Sequence, residues 1–179
     1  MPEERLNEPH AIIVMGVSGC GKSSVGERLA GALHLPFVEG DALHPAANVE
    51  KMSKGIPLTD EDRMPWLDLI GERMKASLEK GEGIIVSCSA LKRLYRDRLR
   101  AAGGGNLFFV YLEGSKALLT KRMGERKGHF MPVSLLESQL ATLEMPRGEQ
   151  GVVTVDIGDT IEGIAATALK GLATLGVTA

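Results

Sequence analysis

Eight residues near the start of the chain, Gly16-Val17-Ser18-Gly19-Cys20-Gly21-Lys22-Ser23, constrain the fold more than any other stretch. Two glycines flank four residues and are followed by Lys and Ser, the spacing of a phosphate-binding loop. The flanks suit that reading. Ala11-Ile12-Ile13-Val14-Met15 is an apolar run that reads as a buried strand, and Lys22–Leu33 puts Val25, Leu29 and Leu33 on one helical face. Glycines let the backbone turn its N–H groups inward, so loop and helix N-terminus together receive the β- and γ-phosphates of a nucleotide. Residues 16–23 and the next residue, Ser24, are therefore the candidate ATP-binding set, with Lys22 reaching the phosphates and Ser23 ligating Mg²⁺. The alternative is a plain Gly-rich turn. At ordinary glycine usage the four fixed positions arise by chance in only about one chain in a hundred of this length.

The 179 residues suit one domain with a sizeable core, and a net charge of −2 argues against broad binding of nucleic acid. No apolar run approaches the ~18 residues of a membrane span. Residues 1–9 are polar and lack the apolar centre of a signal peptide, so a cytoplasmic location is expected. Two cysteines, Cys20 and Cys88, cannot frame a disulfide scaffold and are expected as reduced thiols; an oxidised Cys20 would obstruct a ligand in the loop. Strand-like runs at 36–39, 83–88, 107–112 and 152–157 alternate with helical patterns. This predicts an α/β fold with a parallel sheet, helices on both faces, and ligands at the carboxyl ends of the strands.

Asp41 follows the second strand at that edge. It suits the acceptance of a proton from an attacking hydroxyl, or a Mg²⁺ contact through water; the alternative is a turn or cap residue. The next stretch is dense in polar groups. His44 before Pro45 reads as a turn residue, Asn48 and Lys51 as an exposed face of a short helix, and Thr59 with Asp62 as a capping box. Arg63 stands out, because a cation in the first turns of a helix opposes the macrodipole unless an anion engages it. Pro65 is expected to kink or restart that helix, and Trp66 to join the core.

At this point the pattern becomes specific. Asp41-x-x-His44-Pro45-x-x-Asn48-x-x-Lys51-Met52, then Gly55-x-Pro57-Leu58-x-Asp60-x-Asp62-Arg63-x-Pro65-Trp66-Leu67, resembles the signature of bacterial-type gluconokinases. Ser87-Cys88-Ser89-Ala90-Leu91-Lys92 with Tyr95-Arg96-Asp97, and Leu135-Leu136-x-Ser138-Gln139 with Thr142-Leu143-Glu144-x-Pro146, extend the match over most of the chain. The resemblance implies a single-domain P-loop kinase over 1–179, with a tail over 1–10 and a five-stranded parallel sheet in the order 2-3-1-4-5. It also implies a mobile lid over about 122–132, carrying Arg122, Arg126 and His129. The implied reaction is transfer from MgATP to O6 of D-gluconate. Lys22, Asp41 and Arg126 would be catalytic, Arg122 and Arg126 would meet the phosphates, and Ser23 and Asp41 would form the metal set. His44, Asn48, Lys51, Ser89, His129 and Gln139 would join Asp41 in binding the acceptor, whose carboxylate falls to Arg63 and Lys92. Relatives are often homodimers.

Residue by residue, other readings stay open. Arg93, Arg96, Arg98 and Arg100 read as a solvated helix face, with Arg96 and Asp97 a candidate internal pair. Glu39 stands where many relatives carry Asp, keeping the charge with a longer reach, and no Asp ends the third strand. The nearest rival is a kinase for another small acid or a nucleotide. A GTP-dependent switch is the rival from another class; Asp68-Leu69-Ile70-Gly71 fits one of its motifs by letters, but an Asn-Lys-x-Asp guanine reader is missing.

Overall fold

The structure is a computed structural model that describes residues 9–125 and 133–177. Five strands form one parallel sheet: β1 (Ala11–Met15), β2 (Phe37–Glu39), β3 (Ile84–Ser87), β4 (Leu107–Glu113) and β5 (Val152–Asp156), in the spatial order β2-β3-β1-β4-β5. This is the order implied by the resemblance. All five residues of β1 are buried, because β3 and β4 pair with it on either side, Ile13 lying opposite both Val86 and Phe109.

Side-chain alternation along β1 sends its residues into two cores. Ile12 and Val14 join Val25, Leu29 and Leu33 of α1 (Lys22–Leu33), and Ile164, Ala168 and Leu172 of the last helix. Ala11, Ile13 and Met15 join the other face, with Trp66, Ile70, Met74, Tyr95 and Leu99. A sheet covered on both faces suits the near-continuous apolar runs of its inner strands.

Between β2 and β3 a 3₁₀ turn (Gly40–Leu43) leads to α2 (Ala46–Ser53) and the long α3 (Asp60–Glu79). The capping box is present: the Thr59 hydroxyl accepts from the Asp62 N–H at 3.1 Å, and the Asp62 carboxylate accepts from the Thr59 N–H at 2.9 Å. Pro65 does not restart this helix, which runs through it from Asp60. The proline sits in the second turn, where its missing N–H would have served the carbonyl of Glu61. After β3 come α4 (Arg93–Gly103), then β4, α5 (Lys116–Glu125), α6 (Val133–Thr142), β5 and α7 (Ile161–Thr174). Among the described residues no helix is long and apolar enough to cross a membrane. Residues 1–8 of the expected tail over 1–10, and residues 126–132 of the expected lid over about 122–132, including Arg126 and His129, lie outside the described residues.

Candidate active site

The loop from Gly16 to Ser23 joins the end of β1 to the start of α1, at the carboxyl edge of the sheet. Gly21, at φ +92°, is the N-cap of α1. Gly16 has φ +148°, and a Cβ there would lie 2.7 Å from Cys20 Sγ and 3.0 Å from the Leu112 carbonyl. Only glycine fits. The Cys20 side chain is buried, packed close to Gly16 of the same loop. Both cysteines are free thiols, and burial pushes the Cys88 thiol up to about 12. Lys22 Nζ donates to the carbonyls of Gly16 (3.0 Å) and Val17 (3.2 Å), so the ammonium is curled over the cradle it serves.

Beside the loop lies a carboxylate absent from the set implied above. Glu39, the last residue of β2, accepts a hydrogen bond from the Ser23 hydroxyl and another from Ser87 Oγ at 3.1 Å. Ser87 also accepts from the Gly40 N–H at 3.2 Å, and a Cβ on Gly40 would collide with the Ser87 carbonyl, so β2 and β3 close tightly around this point. Hard oxygen donors from a hydroxyl and a carboxylate are the donor set that Mg²⁺ takes alongside phosphates and water. Ser23 and Glu39 fit that ion. The signal was the position of Glu39 at the end of a strand beside the loop.

Asp41, on the 3₁₀ turn, has a side chain 74% exposed, and His44 Nε2 lies 3.9 Å from its Oδ1. His44 is fixed from three sides. It stacks on Trp66 (ring centroids 4.1 Å apart, 14° between planes), and Trp66 Nε1 donates to the Gly40 carbonyl at 2.8 Å. Asn48 Nδ2 donates to the Asp62 carbonyl at 2.9 Å, which sets the orientation of the amide, and lies 3.2 Å from His44 Nδ1. Nδ1 therefore accepts, and the neutral ring carries its proton on Nε2, facing Asp41. Burial lowers the His44 pKa and outweighs the opposing pull of the Asp41 carboxylate. Asn48 is buried, so it is no part of an exposed helix face. Its amide N–H groups are spent within the protein.

Arg63 and Lys92 meet around one ring. The Arg63 guanidinium lies 5.5 Å and the Lys92 ammonium 5.7 Å from the Tyr95 ring centroid, and Arg63 Nη1 donates to the Leu58 carbonyl (2.7 Å) and to the Tyr95 hydroxyl (3.2 Å). Lys92, the N-cap residue of α4, is not in its first turn, and its Nζ donates to both Asp60 oxygens at 2.9 and 3.2 Å. The Tyr95 hydroxyl also donates to Asp60. The cluster reaches the phosphate loop through the segment before Lys92, since the Gly16 N–H donates to the Ser89 carbonyl at 3.3 Å. Lys51 is engaged elsewhere, with the capping carboxylate of Asp62 at 2.7 Å.

The turn that presents Ser89 and Lys92 is held by a residue read above as solvated. Arg96 is fully buried; it pairs with Glu149 at 2.7 Å, not with Asp97, and donates to the carbonyls of Ala90 and Glu144 at 2.8 Å each. Ala90 has φ +46°, so the guanidinium clamps a turn that a non-glycine residue resists. Asp97 pairs with Arg93 and Arg100. Arg122 donates to the Asp159 carbonyl at 3.3 Å, on the turn after β5. Gln139, on α6, accepts the Ser18 N–H at 2.7 Å, so its carbonyl oxygen braces the phosphate loop.

A phosphate loop between the first strand and first helix of a parallel sheet in the order 2-3-1-4-5 is the arrangement of a P-loop kinase. The family model described as AAA domain matches residues 12–146. The chain belongs to the gluconokinase family. It is 51% identical to the gluconokinase of Gluconobacter oxydans over 83% of each chain, and 41% identical to the thermoresistant gluconokinase of Escherichia coli over 92% of this chain and 94% of that one. The crystal structure of a gluconokinase from Sinorhizobium meliloti 1021 superposes with a TM-score of 0.88 at 57% identity, covering 95% of both chains.

Proposed function

We propose that the chain catalyses the ATP-dependent phosphorylation of D-gluconate at O6, giving 6-phospho-D-gluconate and ADP. The observation that carries this reading is the meeting of the phosphate loop with the Arg63–Tyr95–Lys92 cluster on one sheet edge, in a chain 51% identical to a gluconokinase. In this reading residues 16–24 cradle the nucleotide, and Lys22 leaves the carbonyls of Gly16 and Val17 for the phosphates. Ser23 and Glu39 would hold Mg²⁺, with Asp41 as a further candidate oxygen donor. Bound there, the ion neutralises charge on the phosphate oxygens.

The acceptor lies with its carboxylate toward Arg63 and its primary hydroxyl toward Asp41. As the O6–P bond forms and the bond from phosphorus to the ADP oxygen breaks, the hydroxyl proton passes to Asp41, which is exposed and within reach of an incoming group. His44, held as its Nε2–H tautomer 3.9 Å from that carboxylate, and Ser89 meet acceptor hydroxyls. Arg122 and Arg126 supply positive charge to the phosphates, and His129 joins in binding the acceptor. Gln139 and Lys51 act through the phosphate loop and the cap of α3 respectively, which replaces the direct acceptor contacts implied by the resemblance. A cytoplasmic location and a homodimeric state belong to the same proposal, on the strength of the resemblance alone.

The test is ADP release with MgATP against gluconate, other aldonic acids, shikimate and nucleoside monophosphates. Turnover that depends on gluconate is the expected result; turnover with another member of the panel and none with gluconate overturns the substrate assignment.

A further inference from the structure

The two cations of the acceptor cluster are not equivalent. Lys92 already has a carboxylate, Asp60, on which it sits with both oxygens within 3.2 Å, whereas among the described residues no carboxylate forms an ion pair with Arg63. Tyr95 joins the two halves: its hydroxyl accepts from Arg63 and donates to Asp60. Asp60 and Lys92 are charged near neutral pH and Tyr95 is neutral. Hydrogen bonds from Tyr95 and Lys92 hold the Asp60 carboxyl below its usual range, the Asp60 carboxylate pushes Lys92 up, and burial pushes the Tyr95 phenol up. The local sum is two positive charges and one negative.

We propose that Asp60 sets the anion selectivity of the acceptor site. By taking up Lys92 it leaves the cluster a single net positive charge, with Arg63 the cation that no carboxylate among the described residues pairs with directly, so that the site accepts a terminal carboxylate with one negative charge and disfavours a terminal phosphate monoester with two. This deepens the gluconokinase reading and rests on it. The physical reason is that Asp60 repels whatever anion sits against Arg63, and it repels a dianion twice as strongly as a monoanion at the same place. A site of two bare cations would favour the dianion, and sugar phosphates would occupy it. Asp60 already has a helix-compatible place in the first turn of α3, where a carboxylate suits the macrodipole, but that role alone needs no contact with Lys92 or Tyr95.

The test measures direct binding, by calorimetry at pH 8 with MgADP filling the phosphate loop. The two probes are 6-deoxygluconate, a monocarboxylate without the reacting hydroxyl, and glucose 1-phosphate, a dianion without a carboxylate. Wild-type turnover of gluconate is measured alongside. For Asp60→Asn the ratio of the dianion's Kd to the monocarboxylate's Kd is expected to fall about tenfold, taking an effective dielectric constant of about 40 and a charge separation of about 6 Å. Asp60→Glu, which keeps the charge, is expected to restore the wild-type ratio. Asp60→Ser, a second neutral replacement that suits the first turn of a helix, is expected to lower the ratio likewise, which keeps the test decisive if Asp60→Asn does not fold. If both ligands weaken in parallel in these neutral variants and the ratio holds, Asp60 reads acceptor hydroxyls or only braces Lys92, and the proposal falls while the gluconokinase reading stands. If the wild type neither binds 6-deoxygluconate nor turns over gluconate, both fall.

Discussion

The two halves of the candidate site are built in opposite ways. The nucleotide half is made from consecutive residues: the cradle is the backbone of residues 16–23, its shape is fixed by glycines at positive φ, and its lysine folds back onto carbonyls five and six residues away. The acceptor half is made from side chains drawn from α2, α3, the turn before α4, and α4 itself. Lys92 and Asp60 are 32 residues apart, Tyr95 and Asp60 are 35 apart, and the clamp of Arg96 on Glu149 spans 53. A backbone cradle binds phosphate in any protein that carries it. An assembled cup of side chains binds one class of acceptor, and each member is held by partners that a substitution elsewhere can disturb.

That difference predicts distinct failures. The largest effect is expected at Asp41, the group that stands between the halves. Asp41→Asn keeps the size of the side chain and its exposed position but cannot take a proton, so kcat should fall by about 10²- to 10⁴-fold with KM for ATP and the thermal midpoint near wild type. Steady-state kinetics with both substrates varied would show it, and turnover like that of wild type would move proton acceptance to water or another group. A smaller and cleaner effect is expected at Arg63. Arg63→Ala removes the cation that no carboxylate among the described residues pairs with directly, and the loss of one charge-assisted contact corresponds to a rise of about 10- to 100-fold in KM for gluconate, with KM for ATP unchanged. An equal rise in both constants would mean that the halves are coupled through the Arg63–Tyr95–Asp60–Lys92 chain, and the contrast drawn above would fail.

The same contrast explains what the sequence could reveal. The phosphate loop, the strands of the sheet and the Thr59–Asp62 capping box are local patterns, and all are found where the residues put them. The sheet order was implied by resemblance, since periodicity carries no information about which strands are neighbours. Arg96 was misread because a helix rich in arginine looks solvated until a distant carboxylate, Glu149, arrives to pair with it. Asn48 and Lys51 share a short polar helix, and only the packing of α3 across it buries one and pairs the other. Glu39 and Asp60 carry no assigned role in the sequence for a common reason: each is an ordinary acidic residue at the end or start of an element, and only the fold shows which hydroxyl or ammonium meets it.

The smallest expected effect concerns the scaffold under the acceptor half. Asp62 caps α3, accepts from Lys51 and, through its backbone carbonyl, orients Asn48 and hence His44. The Lys51 ammonium, helped by the Thr59 N–H, holds its carboxyl at about 2 against an ordinary 3.8. A carboxyl whose pKa is depressed in the folded state contributes stability that is full above the unfolded value and is lost as pH falls through the folded one. Asp62→Asn should therefore lower the thermal midpoint by a few degrees at pH 7, and the gap from wild type should close between pH 3.8 and about 2. Thermal melts across that range decide it. Because the carbonyl that orients Asn48 belongs to the backbone, the variant should leave kcat near the wild-type value. A large loss of kcat at unchanged midpoint would mean that the side-chain pair with Lys51, rather than the backbone, holds the acceptor cup in shape.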